Sequence, residues 1–411
     1  MAHQFGCRSS EAQGQAAYAE VARAADVDVV YVATFHLQHV ENALLCLRAG
    51  KHVLVEKPLA IDARGARRII AEARRQQRLL VEAHWTRFFP AVEEAVSLVR
   101  SGIIGAVTSV LSDFSYTDTP DARPEFTNAL GGGATLMLGV QCSATLHAAP
   151  ARALPSALPT RCSHRRVAPR VASPPPVPRP PARLPPLQVY PLAACVQFLG
   201  RASAVRAVGQ RHTSEQGAID LQAGVAMSFP GDQRTRTSTR IGCAQYGYAG
   251  SSVEETTIVG THGSIVLHSP SHCPTRLTVR VAEGARGEFS TTTREFPLPE
   301  RWRPAVSDGS APPVLNFPNS EGLLYEVRAV EAAVRGGLLE CEQMPHEHSL
   351  AVAELADSVR AQVGIVYPSD TLAFRARALA SSRPRVAAAA AVAAATLFAA
   401  CVARAAARGR A

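Results

Sequence analysis

The sequence predicts an α/β unit with a parallel sheet, followed by an α+β unit built on a large open antiparallel sheet. Two patterns carry this expectation. Over roughly the first quarter of the chain, continuous apolar runs alternate with helical stretches, the signature of βαβ units. Over residues 204–296, short runs alternate apolar and polar residues between turn signals such as Pro230-Gly231-Asp232 and Gly260-Thr261-His262-Gly263. The first pattern buries both faces of each strand, and the second leaves one face in water.

In order, residues 18–25 read as the end of a helix and 28–34 as a buried strand. Residues 40–49 have helical periodicity and stop at Gly50, a C-cap signal. Strands at 52–55 and 79–83 flank an Arg-rich amphipathic helix at 63–77. Residues 106–116 alternate like an antiparallel strand, and 193–199 form a helix closed by Gly200. Further strands are expected at 205–208, 219–229, 254–259, 264–267 and 277–281, then amphipathic helices at 321–336 and 348–361.

Composition bounds the function. The chain has 411 residues, 47% apolar and 19% charged, enough for two domains with a sizeable core. The net charge of +9 is concentrated as Arg in 140–188 and in the C-terminal tail, with no stripe of basic and aromatic residues, so no nucleic-acid partner is expected. Nine scattered cysteines without a C-x-x-C pair argue against a zinc site and a disulfide framework, and for a reducing compartment. The polar start carries no signal-peptide pattern, so a cytoplasmic location is expected.

Polar groups cluster where the predicted parallel strands end. Thr34-Phe35-His36-Leu37-Gln38-His39 follows the first strand and Glu56-Lys57-Pro58 the second. The third runs into Glu82-Ala83-His84-Trp85-Thr86-Arg87-Phe88-Phe89-Pro90. In open α/β sheets, ligands bind at this carboxyl edge. Solvated side chains at a strand end would explain any one of these segments; all three together read as one site wall.

These three segments, in this order and spacing, resemble the glucose–fructose oxidoreductase/inositol dehydrogenase family, in its dihydrodiol and D-xylose dehydrogenase branch. The resemblance covers residues 16–139 and 190–370, and the Trp-Thr-Arg-Phe-Phe-Pro stretch is its most discriminating motif. It implies a Rossmann-like domain at 1–105 and an α+β substrate and dimerisation domain at 106–370. It implies NADP or NAD as cofactor, a sugar or diol substrate, and a homodimer formed through the outer face of the sheet. Lys57 would contact the reacting oxygen, and Pro58 would follow a kinked peptide. Thr34, His36, His39 and Glu56 would surround the nicotinamide and its ribose. Trp85 and Arg87 would line the junction of cofactor and substrate, and Arg123 would bind substrate oxygens. Hydride transfer leaves an alkoxide-like oxygen that a nearby ammonium stabilises.

The sequence departs from the family pattern in three places. Family members open with a strand and a Gly-rich phosphate turn; no G-x-G-x-x-G occurs here, so the domain is expected to be N-terminally truncated and to bind dinucleotide poorly. Arg8-Ser9 would sit where relatives read an NADP phosphate. Relatives carry Gly-Gly-Gly-Ala-Leu-Leu-Asp-x-Gly-Val-Tyr; here Met137 holds the Asp position, and residues 140–188 separate Gly139 from Val189-Tyr190. That Pro/Arg-rich segment reads as a polyproline ligand, a structureless insertion, or an intron translated in frame. Its removal would restore the motif and place Tyr190 as the acid/base partner of Lys57. A catalytically inactive relative, acting as a dimeric scaffold or sugar-binding module, is the alternative. An Ala/Arg-rich tail occupies 371–411; its uncharged stretch at 386–403 only just reaches membrane-spanning length, and no membrane role is expected.

Overall fold

The computed structural model describes residues 14–118, 127–139, 191–214, 217–231, 238–283, 288–299 and 318–381. The expected segments 1–13, 140–188 and 386–403, and residues Arg8, Ser9, Arg123 and Tyr190, lie outside them.

Strands β1 (Val29–Val32), β2 (His52–Glu56) and β3 (Leu80–Ala83) form a parallel sheet in that order. Val32 pairs with Val55, and Glu56 with Ala83, so all three strands end on one edge. Helices α1 (Gln15–Arg23), α2 (His39–Arg48) and α3 (Ala63–Gln76) accompany them. The Asp62 side chain caps α3 by accepting from the Gly65 backbone N–H at 2.6 Å, satisfying one of the helix's orphan donors. Ala66, Ile69, Ile70 and Ala73 of α3 pack on Val53, Val55 and Leu80. This is the α/β half that continuous apolar runs predict.

Helix α4 (Pro90–Ser101) starts with proline at its first turn and ends at Gly102, whose φ of 76° suits a glycine C-cap. The chain then enters an eight-stranded sheet: β4 (Val107–Ser115), β5 (Ala204–Ser214), β6 (Gly217–Pro230), β7 (Thr239–Gly247), β8 (Thr256–Gly260), β9 (Gly263–Leu267), β10 (Arg276–Glu283) and β11 (Glu288–Glu295). The order is β11-β10-β9-β8-β4-β7-β6-β5. One pair departs from the antiparallel expectation: β4 runs parallel to β7. Because β4 lies between the sequence neighbours β7 and β8 and is antiparallel to β8, its other pairing is parallel.

Helices α5 (Pro191–Leu199), α6 (Leu323–Arg335), α7 (His346–Val363) and α8 (Leu372–Ser381) complete the described chain. One cluster joins the sheet's inner residues (Val110, Phe114, Val225, Phe229, Tyr246) to α5 and α7. The opposite face exposes Leu111, Val208 and Ile241. Arg360 of α7 is fully buried and donates to Asp370 (3.0 and 3.3 Å) and Asp357 (2.9 Å). Asp357 in turn accepts from the Ala63 N–H at 3.0 Å, tying α7 to the start of α3.

Candidate active site

The end of β2 delivers Glu56, Lys57 and Pro58 to the shared carboxyl edge, and the Lys57–Pro58 peptide is cis. Apolar residues before and after this tripeptide anchor it: Val55 and Leu59 both belong to the core of the parallel sheet. The Leu59 N–H is held by the Glu82 carboxylate of β3 at 2.9 Å. Lys57 is only 1% exposed, so its ammonium sits in a low-dielectric setting where its charge acts strongly on its surroundings.

The segment after β1 forms a short 3-10 turn at His36–Gln38 and runs directly into α2, which brings two imidazoles beside Lys57. Both ring nitrogens of His39 meet carbonyls, Nδ1 that of Pro58 at 2.8 Å and Nε2 that of Thr34 at 2.9 Å. His39 therefore clamps the end of β1 to the end of β2. The Thr34 hydroxyl accepts from Asn42 Nδ2 at 3.2 Å. His36 Nδ1 reaches the Gly131 carbonyl at 3.0 Å, so the Gly131-Gly132-Gly133 turn of the second domain closes onto this wall. A side chain at Gly131 would press on His36 and Ile61, and its φ of 78° also favours glycine.

Charge and burial set the protonation pattern. Burial, then the neighbouring His39, lowers the His36 pKa to about 3. His39 is lowered chiefly by burial, against the two carbonyl contacts that favour its charged form. Burial raises Glu56, partly offset by Lys57 and by the hydrogen bond from Tyr31. Glu326, buried on α6, is raised well above the usual carboxylate range by burial and by Glu56. The site thus gathers two imidazoles whose charged forms burial disfavours and two reluctant carboxyl groups around Lys57, an arrangement suited to handling a proton at a substrate oxygen.

The depressed His36 pKa has a defined sign in stability. The unfolded chain binds a proton near pH 6.5 that the folded chain refuses until about pH 3, so His36 weakens the fold as pH falls through this window. Relative to wild type, His36→Gln should gain about 1.4 kcal/mol for each pH unit lowered within it. Urea unfolding of both proteins across pH checks this; a difference that stays constant with pH would refute it.

Trp85 and Arg87 lie on the 3-10 turn Trp85–Phe88 after β3, and both are buried. Trp85 packs edge-on against Phe89 at 5.1 Å and lies 6.3 Å from His272. The Thr86 hydroxyl donates to the His272 carbonyl, fixing the turn to the second domain. Arg87 donates through Nη2 to the Ala193 carbonyl (2.9 Å) and through Nη1 to the Gln343 carbonyl (3.3 Å) and His348 Nδ1 (2.8 Å). Its guanidinium is thereby committed to α5 and to the start of α7. Met137 is buried in the main core, within the π-helical turn Thr135–Gly139.

Two contributors escaped the sequence reading. Glu326 was hidden in an amphipathic helix, because nothing in its spacing distinguishes an inward carboxylate from a solvated one. Asp220 of β6 is fully buried and accepts from the Thr135 N–H and hydroxyl, both at 2.6 Å, anchoring the chain just after the glycine turn that meets His36. An acidic residue inside the apolar alternation Ile219–Phe229 was the available signal. Among the described residues no His/Cys/Asp/Glu group has metal-binding arrangement, and no helix is long and apolar enough to cross a membrane.

Residues 1–84 match the profile of an oxidoreductase family with an NAD-binding Rossmann fold. Trans-1,2-dihydrobenzene-1,2-diol dehydrogenase from Danio rerio is 29% identical over 378 residues, covering 90% of this chain and 87% of the relative. The Homo sapiens protein of the same name is 27% identical over 377 residues, with the same coverage of 90% and 87%. Among solved structures, a levoglucosan dehydrogenase in complex with NADH and levoglucosan superposes with a TM-score of 0.59 at 18% identity, over 88% of this chain and 84% of that one. A 3-ketoreductase from Actinomadura kijaniata in complex with NADP gives 0.56 at 21% identity, over 87% and 84%. At these identities the superpositions establish a shared two-domain fold. The profile match over residues 1–84, the similarity to dihydrodiol dehydrogenases over 90% of the chain and the shared fold together make this chain similar to the GFO/IDH/MocA oxidoreductases.

Proposed function

We propose that the protein oxidises a CH–OH group of a vicinal diol or trans-dihydrodiol, or of an aldose such as D-xylose, with NADP or NAD, or runs the reverse reduction. The observation that carries the reading is the buried Lys57 at the carboxyl edge of the parallel sheet, enclosed by His36, His39 and Glu56. The nicotinamide, when bound, supplies hydride acceptance. Lys57 stabilises the negative charge that develops on the substrate oxygen, and Tyr190, outside the described residues, would become its proton partner once residues 140–188 are removed. His39 and the Glu82–Leu59 contact hold the Lys57 segment in place, and Trp85 packs against Phe89 and His272. Arg87 acts as a brace between the turn and α5.

The fit to a dinucleotide is one-sided. In this reading the described residues at the carboxyl edge would form the nicotinamide-side wall, while no G-x-G-x-x-G turn between a strand and a helix is among them. Met137, apolar and buried where relatives carry an acid, favours the second reading: an inactive dimeric scaffold or sugar-binding module. Leu111, Val208 and Ile241 on the outer sheet face suit a homodimer in either case.

Titration of NADPH into the purified chain, followed by assay of NADP reduction with trans-1,2-dihydrobenzene-1,2-diol and D-xylose, decides between the two. The enzyme reading expects saturable binding and turnover with at least one substrate. A dimer by sedimentation velocity with neither binding nor turnover would leave the scaffold.

A further inference from the structure

Among the described residues two guanidinium groups, those of Arg87 and Arg360, are buried, and they are treated in opposite ways. Arg360 is met by two carboxylates, Asp357 and Asp370. Arg87, 2% exposed, forms no ion pair among the described residues. Its acceptors are two carbonyls and a histidine nitrogen, and its Nε–H is buried without a partner. The buried Glu82 carboxyl acts on Arg87 from a distance without pairing with it, and a carboxylate in direct contact would offset more of the cost of burying this cation. Desolvation accordingly lowers its pKa to about 10.

Arg87 forms part of the lining of a pocket of about 320 Å³ set between α4, α5 and the segment leading into α7. That volume falls in the range of small-metabolite sites. The pocket shares none of its lining with Lys57, His36, His39 or Glu56. His348 also lines it. Its Nδ1 contacts Arg87, and burial followed by the Arg87 charge lowers its pKa to about 4. At neutral pH it therefore accepts from Arg87 through Nδ1 and carries its remaining N–H on Nε2. Gln197 and Arg100 add donors, Arg100 being held at 2.8 Å by Glu342. Glu93 is on the wall too, but its Oε1 accepts from Gln343 at 2.9 Å, which reduces its opposition to an incoming anion.

We propose that this pocket is a binding site for a small anion of the carboxylate or phosphate class, seated on Arg87 and read by His348 and Gln197. Three of the five Arg87 N–H groups are committed to Gln343, His348 and Ala193, and the Nε–H with the second Nη2–H remains to meet the two oxygens of such a group side-on. The 140–188 segment brings no further carboxylate to Arg87, because it contains no acidic residue.

Calorimetric titration of the intact chain with inorganic phosphate and, separately, with malonate tests the proposal in a chloride buffer. Saturable binding of at least one probe in the millimolar range or tighter is expected, and the probe that binds identifies the headgroup. His348→Phe and Gln197→Leu, which leave the buried guanidinium in place, should each weaken that binding by about tenfold, the loss of one charge-assisted or neutral donor. Arg87→Gln should abolish it, with circular dichroism reporting whether that variant folds. Absence of saturable binding by both probes, or binding that survives the His348→Phe/Gln197→Leu pair unchanged, overturns the site.

Discussion

Replacing Lys57 with methionine is expected to lower kcat on a trans-dihydrodiol or aldose by about a hundred- to ten-thousandfold, the usual worth of a positioned proton-transfer group. The effect should fall on kcat more than on KM, since the ammonium does most for the oxygen once it has gained charge. Methionine keeps the length and apolar stem of the side chain, and the cavity at the end of β2 stays filled. The fold should therefore survive, because Val55 and Leu59 on either side remain in the core. Steady-state kinetics beside an unfolding curve separate the two effects. A variant that retains activity within tenfold of wild type would remove Lys57 from the reacting oxygen.

The largest loss of stability should come from Arg360. Its guanidinium is fully buried, donates to two aspartates, and lies over the Tyr367 ring at 4.6 Å and the Phe374 ring at 4.4 Å. Arg360→Met leaves Asp370, itself buried, without its cation, and about 3–5 kcal/mol is expected from breaking such a pair. The damage should reach the site, because Asp370 accepts from the Tyr367 N–H at 2.7 Å and the Tyr367 hydroxyl donates to the Gly132 carbonyl at 2.7 Å. Adding Asp370→Asn to Arg360→Met should recover part of the loss, since the orphaned charge is then gone. Urea unfolding of the two single variants and the pair measures the coupling. Simple additivity would show that the network is not a unit.

Local pattern made much of the fold legible. The parallel strands announced themselves as apolar runs, and their ends carried the Thr-x-His-x-x-His, Glu-Lys-Pro and Trp-Thr-Arg-Phe-Phe-Pro segments that carry the resemblance to the oxidoreductase family. The strands that escaped notice were those whose stability comes from neighbours. Strand β7 contains two glycines, and β11 is a polar edge strand, Glu-Phe-Ser-Thr-Thr-Thr-Arg-Glu. Their own residues give little periodic signal, and pairing with β4, β6 and β10 decides their state.

Charge placement divided in the same way. By itself the sequence determined the fold class, the family resemblance and the position of Lys57, because strand periodicity and motif order are local properties. Only the tertiary structure decided what surrounds that lysine. It brought Gly131 of the second domain to His36 across 95 residues, turned Glu326 inward from a helix that reads as ordinary, and committed Arg87 to α5 and His348. The physical reason is that burial, which sets the energy of each of these charges, depends on partners distant in the chain, and no local spacing encodes them.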